Sequence, residues 1–261
     1  MSKVRLEQRD AVSEIVLDAP KLNLFDLALV ADLEQVLEDV RARAEAGETR
    51  AVLVRAEGSV FCGGVDVHEF RGLGQAAGAQ LMARFLGLGA LLESLPVPTV
   101  TAVHALNLTI GMEIALATDL LWAAEEASFG LVEPTVGLTP GAGGTQRLVA
   151  RAGVARAAEF VLTGDIYPAR EMYEWGVVNR LRPAATLLED VRAFADRLAA
   201  GPTKAAAAGK ALLKAARDHG TAVADARTPE VTGRVFATED LPAGIESLLT
   251  NGPRKAVFRG R

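Results

Sequence analysis

The sequence predicts an α/β protein whose last third turns helical. Through the first 140 residues, short apolar runs alternate with amphipathic stretches, the order expected of strands joined by crossover helices. From Gly141 onward helical patterns dominate. Much of the glycine is gathered in three clusters, which mark loops between the elements.

Residues 11–17, AVSEIVL, read as a strand. Phe25 to Ala46 reads as the first helix, because Leu27, Val30, Leu33, Leu37 and Val40 recur at three- and four-residue spacing and Gly47 supplies a stop. AVLV at 51–54 is a short apolar run flanked by charge, hence a buried strand. The loop Glu57–Val67 leads into a helical stretch ending near Leu95. Pro98 opens the strand TVTAV. An irregular segment after His104 precedes a helix starting near Ile110. DLLWA at 119–123 and the region around Phe129 read as further strands. Helices are then expected at Gly144–Arg151, Val154–Leu162, Ala169–Trp175, Leu187–Ala199 and Thr203–Arg217. The expected division is an α/β core over residues 1–197 and a helical region over 198–261 that packs on neighbouring subunits.

Composition narrows the function. The 261 residues carry 28 Lys+Arg against 33 Asp+Glu, a formal charge of −5, which argues against a general nucleic-acid binder. The single cysteine, Cys62, excludes an intrachain disulfide framework. The start, MSKVRLEQRDAV, lacks the apolar core of a secretory signal. Glu93 and Asp119 interrupt the most apolar stretches before the roughly 18 residues needed to span a bilayer. A cytoplasmic protein that binds neither nucleic acid nor membrane is expected.

Several common chemistries fail on inspection. Gly141–Gln146, GAGGTQ, lacks the third glycine of a dinucleotide fingerprint and the Lys-Ser/Thr of a phosphate loop. No G-x-S-x-G nucleophile elbow occurs. His68-Glu69 begins like a zinc-protease motif, but Gly72 stands where the second histidine must be, and three histidines in all (68, 104 and 219) make a multi-histidine metal site a poor reading. Cys62 reads as a small buried apolar residue. Lys210, Lys214 and Arg217 share one helical face, which reads as solvated.

Three segments remain: Ser59–Asp66 (SVFCGGVD), His104–Glu113 (HALNLTIGME) and Phe129–Arg147 (FGLVEPTVGLTPGAGGTQR). Their glycines and prolines fix loops that can bring backbone close to a ligand. The third run is close to F-G-x-P-E-x-x-x-G-x-x-P-G-x-G-G-T-Q-R-L, and FCGGVD is similar to F-C/S-A-G-A-D; with FATED and RKAVF near the C-terminus, the chain resembles the enoyl-CoA hydratase/isomerase (crotonase) superfamily from about Leu17 to Phe258. The resemblance implies a crotonase-like fold of repeated ββα units. It implies an enoyl-CoA hydratase that adds water to a trans-2-enoyl-CoA to give 3-hydroxyacyl-CoA, with no metal and no cofactor beyond the coenzyme A of the substrate. It implies a homotrimer or a dimer of trimers.

The same resemblance assigns roles. The backbone N–H groups of Val65 and Ile110 would form an oxyanion hole, Glu113 and Glu133 would be the catalytic carboxylates, and Gly141 would support the attacking water. Lys21, Gly63, Arg254 and Lys255 would contact coenzyme A. The physical case is independent: negative charge develops on the thioester oxygen, preorganised amides at a helix start stabilise it, and two carboxylates supply base and acid. The chain departs from the family at His104-Ala105, which replace Asn-Gly, and at Thr109-Ile110, which replace Gly-Gly. Because β-branched residues disfavour positive φ, Ile110 is expected in the first turn of a right-handed helix, where it keeps its donor and narrows the acyl pocket. Thr232 stands at the family's aromatic adenine contact and Pro253 near its lysine, and Val132 replaces the proline before the second glutamate. A Δ3–Δ2-enoyl-CoA isomerase and a non-catalytic acyl-CoA-binding oligomer are the alternatives.

Overall fold

The computed structural model describes residues 2–19 and 21–261. In chain order the elements are β1 (Val4–Arg9), β2 (Val12–Leu17), α1 (Leu27–Glu45), β3 (Ala51–Ala56), α2 (Gln75–Ser94), β4 (Thr99–Val103), β5 (Asn107–Leu108), α3 (Ile110–Leu116), β6 (Leu120–Ala124), β7 (Ser128–Gly130), α4 (Gly144–Thr163), β8 (Ile166–Pro168), α5 (Ala169–Glu174), β9 (Arg180–Arg182), α6 (Ala184–Ala199), α7 (Thr203–His219), α8 (Thr221–Gly233) and α9 (Asp240–Asn251).

The main sheet has the order β1-β2-β3-β4-β6-β9, with β1 antiparallel to β2 and every other pair parallel. A small second sheet runs β5-β7-β8. β2 and β4 are buried at every position and β3 at all but its last, so both sheet faces are covered, which is why AVLV and TVTAV read as unbroken apolar runs. α6 lies across β2, β3, β4 and β6, while α1 packs on β1 and α2, and α3 on α2 and α4. Asp26 caps α1 by accepting from the Leu29 N–H, and of the apolar stripe predicted for this helix Val30, Leu33, Leu37 and Val40 are buried while Leu27, in its first turn, is exposed.

The C-terminal helices pack largely on one another, α7 against α8 and α9 against the short turn before it. They are tied to the core by polar contacts: Arg50 donates to Thr203 Oγ1 and to the carbonyls of Gly201 and Phe258. The Lys210, Lys214 and Arg217 face, read as solvated, is turned onto acids instead. Lys210 pairs with Asp119 at 2.9 Å and Arg217 with Glu93 at 2.6 Å. The helices predicted at 144–151 and 154–162 are both present as the two halves of α4, which the chain breaks at Gly153, where φ is +79° and ψ 166°. Among the described residues no helix is long and apolar enough to cross a membrane.

Candidate active site

The site is built where two chain segments run side by side. Cys62 forms a parallel bridge with Asn107 of β5, and the Leu108 N–H donates to the Cys62 carbonyl at 2.9 Å. Carried forward at the same offset, this register sets Gly64 beside Thr109. Gly64 and Thr109 do touch: a Cβ added to Gly64 would lie 2.7 Å from Thr109 Oγ1, and Gly64 has φ +108°, so only glycine suits this position. The turn is held from outside as well. The Asn23 amide donates to the carbonyls of Glu57, Val60 and Phe61, while Phe25 donates its N–H to Gly64 and accepts from Asp66.

Ile110 begins α3 in helical conformation, as expected, and the strain falls one residue earlier. Thr109 takes φ +47° and ψ −122°. Its own N–H donates to the Gly130 carbonyl, and its carbonyl accepts from the Glu113 N–H. Among the described residues, neither the Val65 nor the Ile110 N–H has a hydrogen-bond partner. The expectation that Ile110 narrows the acyl pocket is corrected: its side chain is buried in the core, and Thr109 faces the cavity instead.

That cavity has a volume of about 110 Å³ and is walled by Gly63, Gly64, Val65, Thr109, Glu113, Glu133 and Gly141 on its polar side. Val67, Phe70, Met82, Phe85, Val136 and Leu138 form its apolar side. Met82 and Phe85 come from α2, which forms this wall. Glu113 projects from the first turn of α3 and Glu133 from a short helical turn after β7, kept rigid by Pro134.

Both glutamates are buried, with 2% of Glu113 and 8% of Glu133 exposed. Glu113 Oε1 accepts two hydrogen bonds at 2.8 Å, from the N–H groups of Ala142 and Gly144 at the start of α4. Burial still raises its carboxyl above the usual range, against those donors and the Arg147 charge. Glu133 Oε2 has no partner, and burial together with the Glu113 charge pushes its carboxyl up to about 7. Arg147 fixes the donor loop: it grips Glu93 with two hydrogen bonds and donates to the Ala142 carbonyl.

The cavity thus brings together Val65, Glu113, Glu133, Gly141 and Gly63, while Ile110 does not line it and adjoins it only as the residue after Thr109. Lys21 does not line the cavity but adjoins it, since the neighbouring Leu22 accepts from the Gly63 N–H at 2.7 Å. Arg254 and Lys255 are not brought to the cavity: Arg254 lines a separate apolar groove with Leu248 and Phe258, and Lys255 is exposed beside it. Cys62 is fully buried and its thiol is pushed up to about 12, which suits packing rather than chemistry. Sequence reasoning missed the Thr109 side chain. The signal was present, a β-branched residue where the family has glycine, but it was assigned to Ile110.

Known proteins resemble this chain over nearly its whole length. The sequence model of the family described as Enoyl-CoA hydratase/isomerase matches residues 7–259. A mitochondrial enoyl-CoA hydratase of Pongo abelii is 30% identical over 253 residues, covering 97% of this chain and 85% of that protein. A carnitinyl-CoA dehydratase of Proteus mirabilis is 33% identical over 213 residues, 81% of this chain and 80% of that one. The crystal structure of an enoyl-CoA hydratase from Bacillus anthracis superposes with a TM-score of 0.91 at 28% identity, covering 99% of this chain and all of that one. The fold is the crotonase-like fold expected from the sequence, and the chain belongs to the enoyl-CoA hydratase/isomerase family.

Proposed function

We propose that this chain hydrates trans-2-enoyl-CoA thioesters to 3-hydroxyacyl-CoA. The observation that carries the reading is the convergence, in one small cavity, of two buried glutamates with Val65, whose N–H has no partner of its own, and with Thr109, which is followed at the start of α3 by the likewise unpartnered Ile110 N–H. The thioester oxygen sits against the Val65 and Ile110 amides, which stabilise the enolate that forms as water oxygen bonds to the β-carbon. Glu113, whose charge is supported by two amides, is the base that takes the water proton. Glu133, whose Oε2 has no partner and whose carboxyl is held neutral up to about pH 7, is the acid that protonates the α-carbon. The proton gained by one glutamate and lost by the other is redistributed before the next turnover. Gly141 N–H supports the water, and Lys21 is the basic residue best placed for a coenzyme A phosphate.

Chromatography of products from crotonyl-CoA tests this: 3-hydroxybutyryl-CoA is expected. Double-bond migration in a 3-enoyl-CoA without hydration would make the isomerase the better reading, and tight binding without turnover the non-catalytic one. The rate should fall as pH rises through about 7 and Glu133 loses its proton. For assembly we propose a trimer or a pair of trimers. Its support is the C-terminal region, where Phe236, Leu249 and Val257 are each about three-quarters or more exposed. Light scattering should give three or six times 27.4 kDa.

A further inference from the structure

We propose that the Thr109 hydroxyl is a third hydrogen-bond donor to the thioester oxygen, beside the amides of Val65 and Ile110. This rests on the acyl-CoA reading above and adds a side chain to what is otherwise a main-chain device.

Three observations converge. Thr109 holds a backbone conformation, φ +47° and ψ −122°, that glycine adopts freely and a β-branched residue does not. It is held there by its N–H bond to Gly130 and by the Glu113 N–H bond to its carbonyl. A side chain at this place is therefore kept at a cost to stability. Next, its Oγ1 is buried and has no partner among the described residues, with only 9% of the residue exposed. A buried hydroxyl without an acceptor is unfavourable, and a ligand oxygen would relieve it. Last, the hydroxyl stands where the two donor segments meet. Thr109 lines the cavity with Glu113 and Glu133, and its hydroxyl lies against Gly64, which precedes Val65, in the residue that precedes Ile110. The acceptor that fits this place is the oxygen lying between the two amides. The hydroxyl donates a hydrogen bond and keeps its proton, and the charge that grows on the thioester oxygen strengthens the bond in the transition state.

The test uses Thr109→Val, which keeps the shape and the branching, Thr109→Ser, which keeps the hydroxyl, and Thr109→Gly, which removes the side chain and the strain. Isotope-edited infrared spectroscopy of bound butyryl-CoA carrying a 13C thioester carbonyl reads polarisation without turnover. The carbonyl band should lie lowest in the wild type and the Ser variant and rise in the Val and Gly variants. With crotonyl-CoA, kcat should fall roughly 10²-fold in the Val variant with KM little changed, and Ser should restore most of it. Thr109→Gly should raise Tm while lowering kcat, opposite signs that a purely structural role would not produce. Should the Val variant not fold, the Gly and Ser variants carry the comparison. If the wild type hydrates crotonyl-CoA but its carbonyl band and kcat match those of Val, or if Ser fails to restore them, the third donor is wrong and the hydratase reading stands. If the wild type shows neither hydration nor a lowered carbonyl band, the underlying reading falls and takes this proposal with it.

Discussion

Two buried glutamate sites in this molecule have opposite chemistry. Glu14, on β2, is 1% exposed and surrounded by arginines: Arg55 from β3 at 2.8 Å, Arg192 from α6 with two bonds at 2.8 Å, and Arg9 from β1 at 3.2 Å. Burial alone would raise its carboxyl, but the hydrogen bonds from Arg192 and Arg55 outweigh it and hold Glu14 down at about 2. Glu113 and Glu133 are nearly as buried and have no arginine bound to them. Glu113 has two amides, Glu133 Oε2 has nothing, and both carboxyls are raised. Burial sets the stakes in both places, and the partners decide the outcome. One site locks a charge and joins three strands and a helix, while the other leaves protons free to move.

The contrast breaks most clearly on substitution by glutamine. Glu113→Gln and Glu133→Gln should each lower hydration by roughly 10²- to 10⁴-fold, measured as kcat on crotonyl-CoA. Neither should cost much stability, because each removes a carboxylate whose ionised form the fold disfavours. Glu14→Gln should do the reverse. It takes from Arg55, itself nearly buried, the most deeply buried of its three carboxylate partners, Glu7 and Glu57 remaining, and takes from Arg192 the charge on which both its hydrogen bonds end, so unfolding by denaturant should show a loss of about 3 kcal/mol with kcat preserved. A Glu14 variant that loses activity but keeps its stability would abolish the distinction.

Acid and alkali sharpen the same comparison, because the two sites give stability opposite slopes. Between pH 4.5, the ordinary glutamate value, and about 2, the unfolded chain binds a proton that folded Glu14 does not, so stability is lost as pH falls through this window. Between 4.5 and about 7, folded Glu133 keeps a proton that the unfolded chain releases, so its contribution to stability declines as pH rises. Each slope is at most about 1.4 kcal/mol per pH unit. Denaturant titrations across both windows should lose the acid slope in Glu14→Gln and the neutral slope in Glu133→Gln.

Of these two sites only one was visible in the sequence. Glu133 sits in FGLVEPTVG, a run whose glycines and proline announce a built loop, and Glu113 follows a helix start. Glu14 sits inside AVSEIVL, where a strand was expected but a charge inside it carried no message; its partners come from residues 9, 55 and 192, and no local pattern joins them. The parallel strands β3 and β4 were legible because full burial leaves an unbroken apolar run. β5, β8 and β9 are two or three residues long, too short for any period to show. β1 was missed because only Val4 of VRLEQR is buried, and charged residues dominate the rest. α8 and α9 were missed for a different reason. Each contains a proline, Pro229 and Pro242, and α8 ends in glycine at both sides, so propensity argues against helices that packing on α7 and the C-terminal tail supports. The conflict between β-branching and positive φ was weighed for Ile110 alone, which was expected in the first helical turn and is found there; the positive φ falls on Thr109, because α3 begins one residue later, a boundary that sequence fixes poorly.

A finer perturbation concerns how Glu113 is aimed. A Cβ on Gly144 would lie 2.7 Å from Glu113 Cγ and 3.0 Å from Oε1, so Gly144→Ala must push the carboxylate off its two amides. Alanine is the better helix former, so α4 should not suffer. The expected result is a roughly 10-fold fall in kcat at unchanged or higher Tm. Equal rates would mean that the position of Glu113 is not under tight control.

The smallest effect marks the other end of the scale set by Glu14. Arg84 on α2 and Glu34 on α1 form a two-pronged ion pair, with hydrogen bonds of 2.8 and 2.7 Å, about a third exposed on each side. Its geometry is as good as that of Arg192 on Glu14, yet water reaches it. Solvent screens the attraction and solvates either partner when the other is removed, so neither charge is stranded. Arg84→Ala should therefore cost only about 0.5 kcal/mol, a value that shrinks further in high salt, as read by denaturant unfolding. The pair joins α2, which carries Met82 and Phe85, to α1, so a larger loss accompanied by a change in KM would mean that the helix wall of the cavity depends on it. If Arg84→Ala and Glu14→Gln cost the same, burial is not what separates a structural ion pair from a decorative one in this fold.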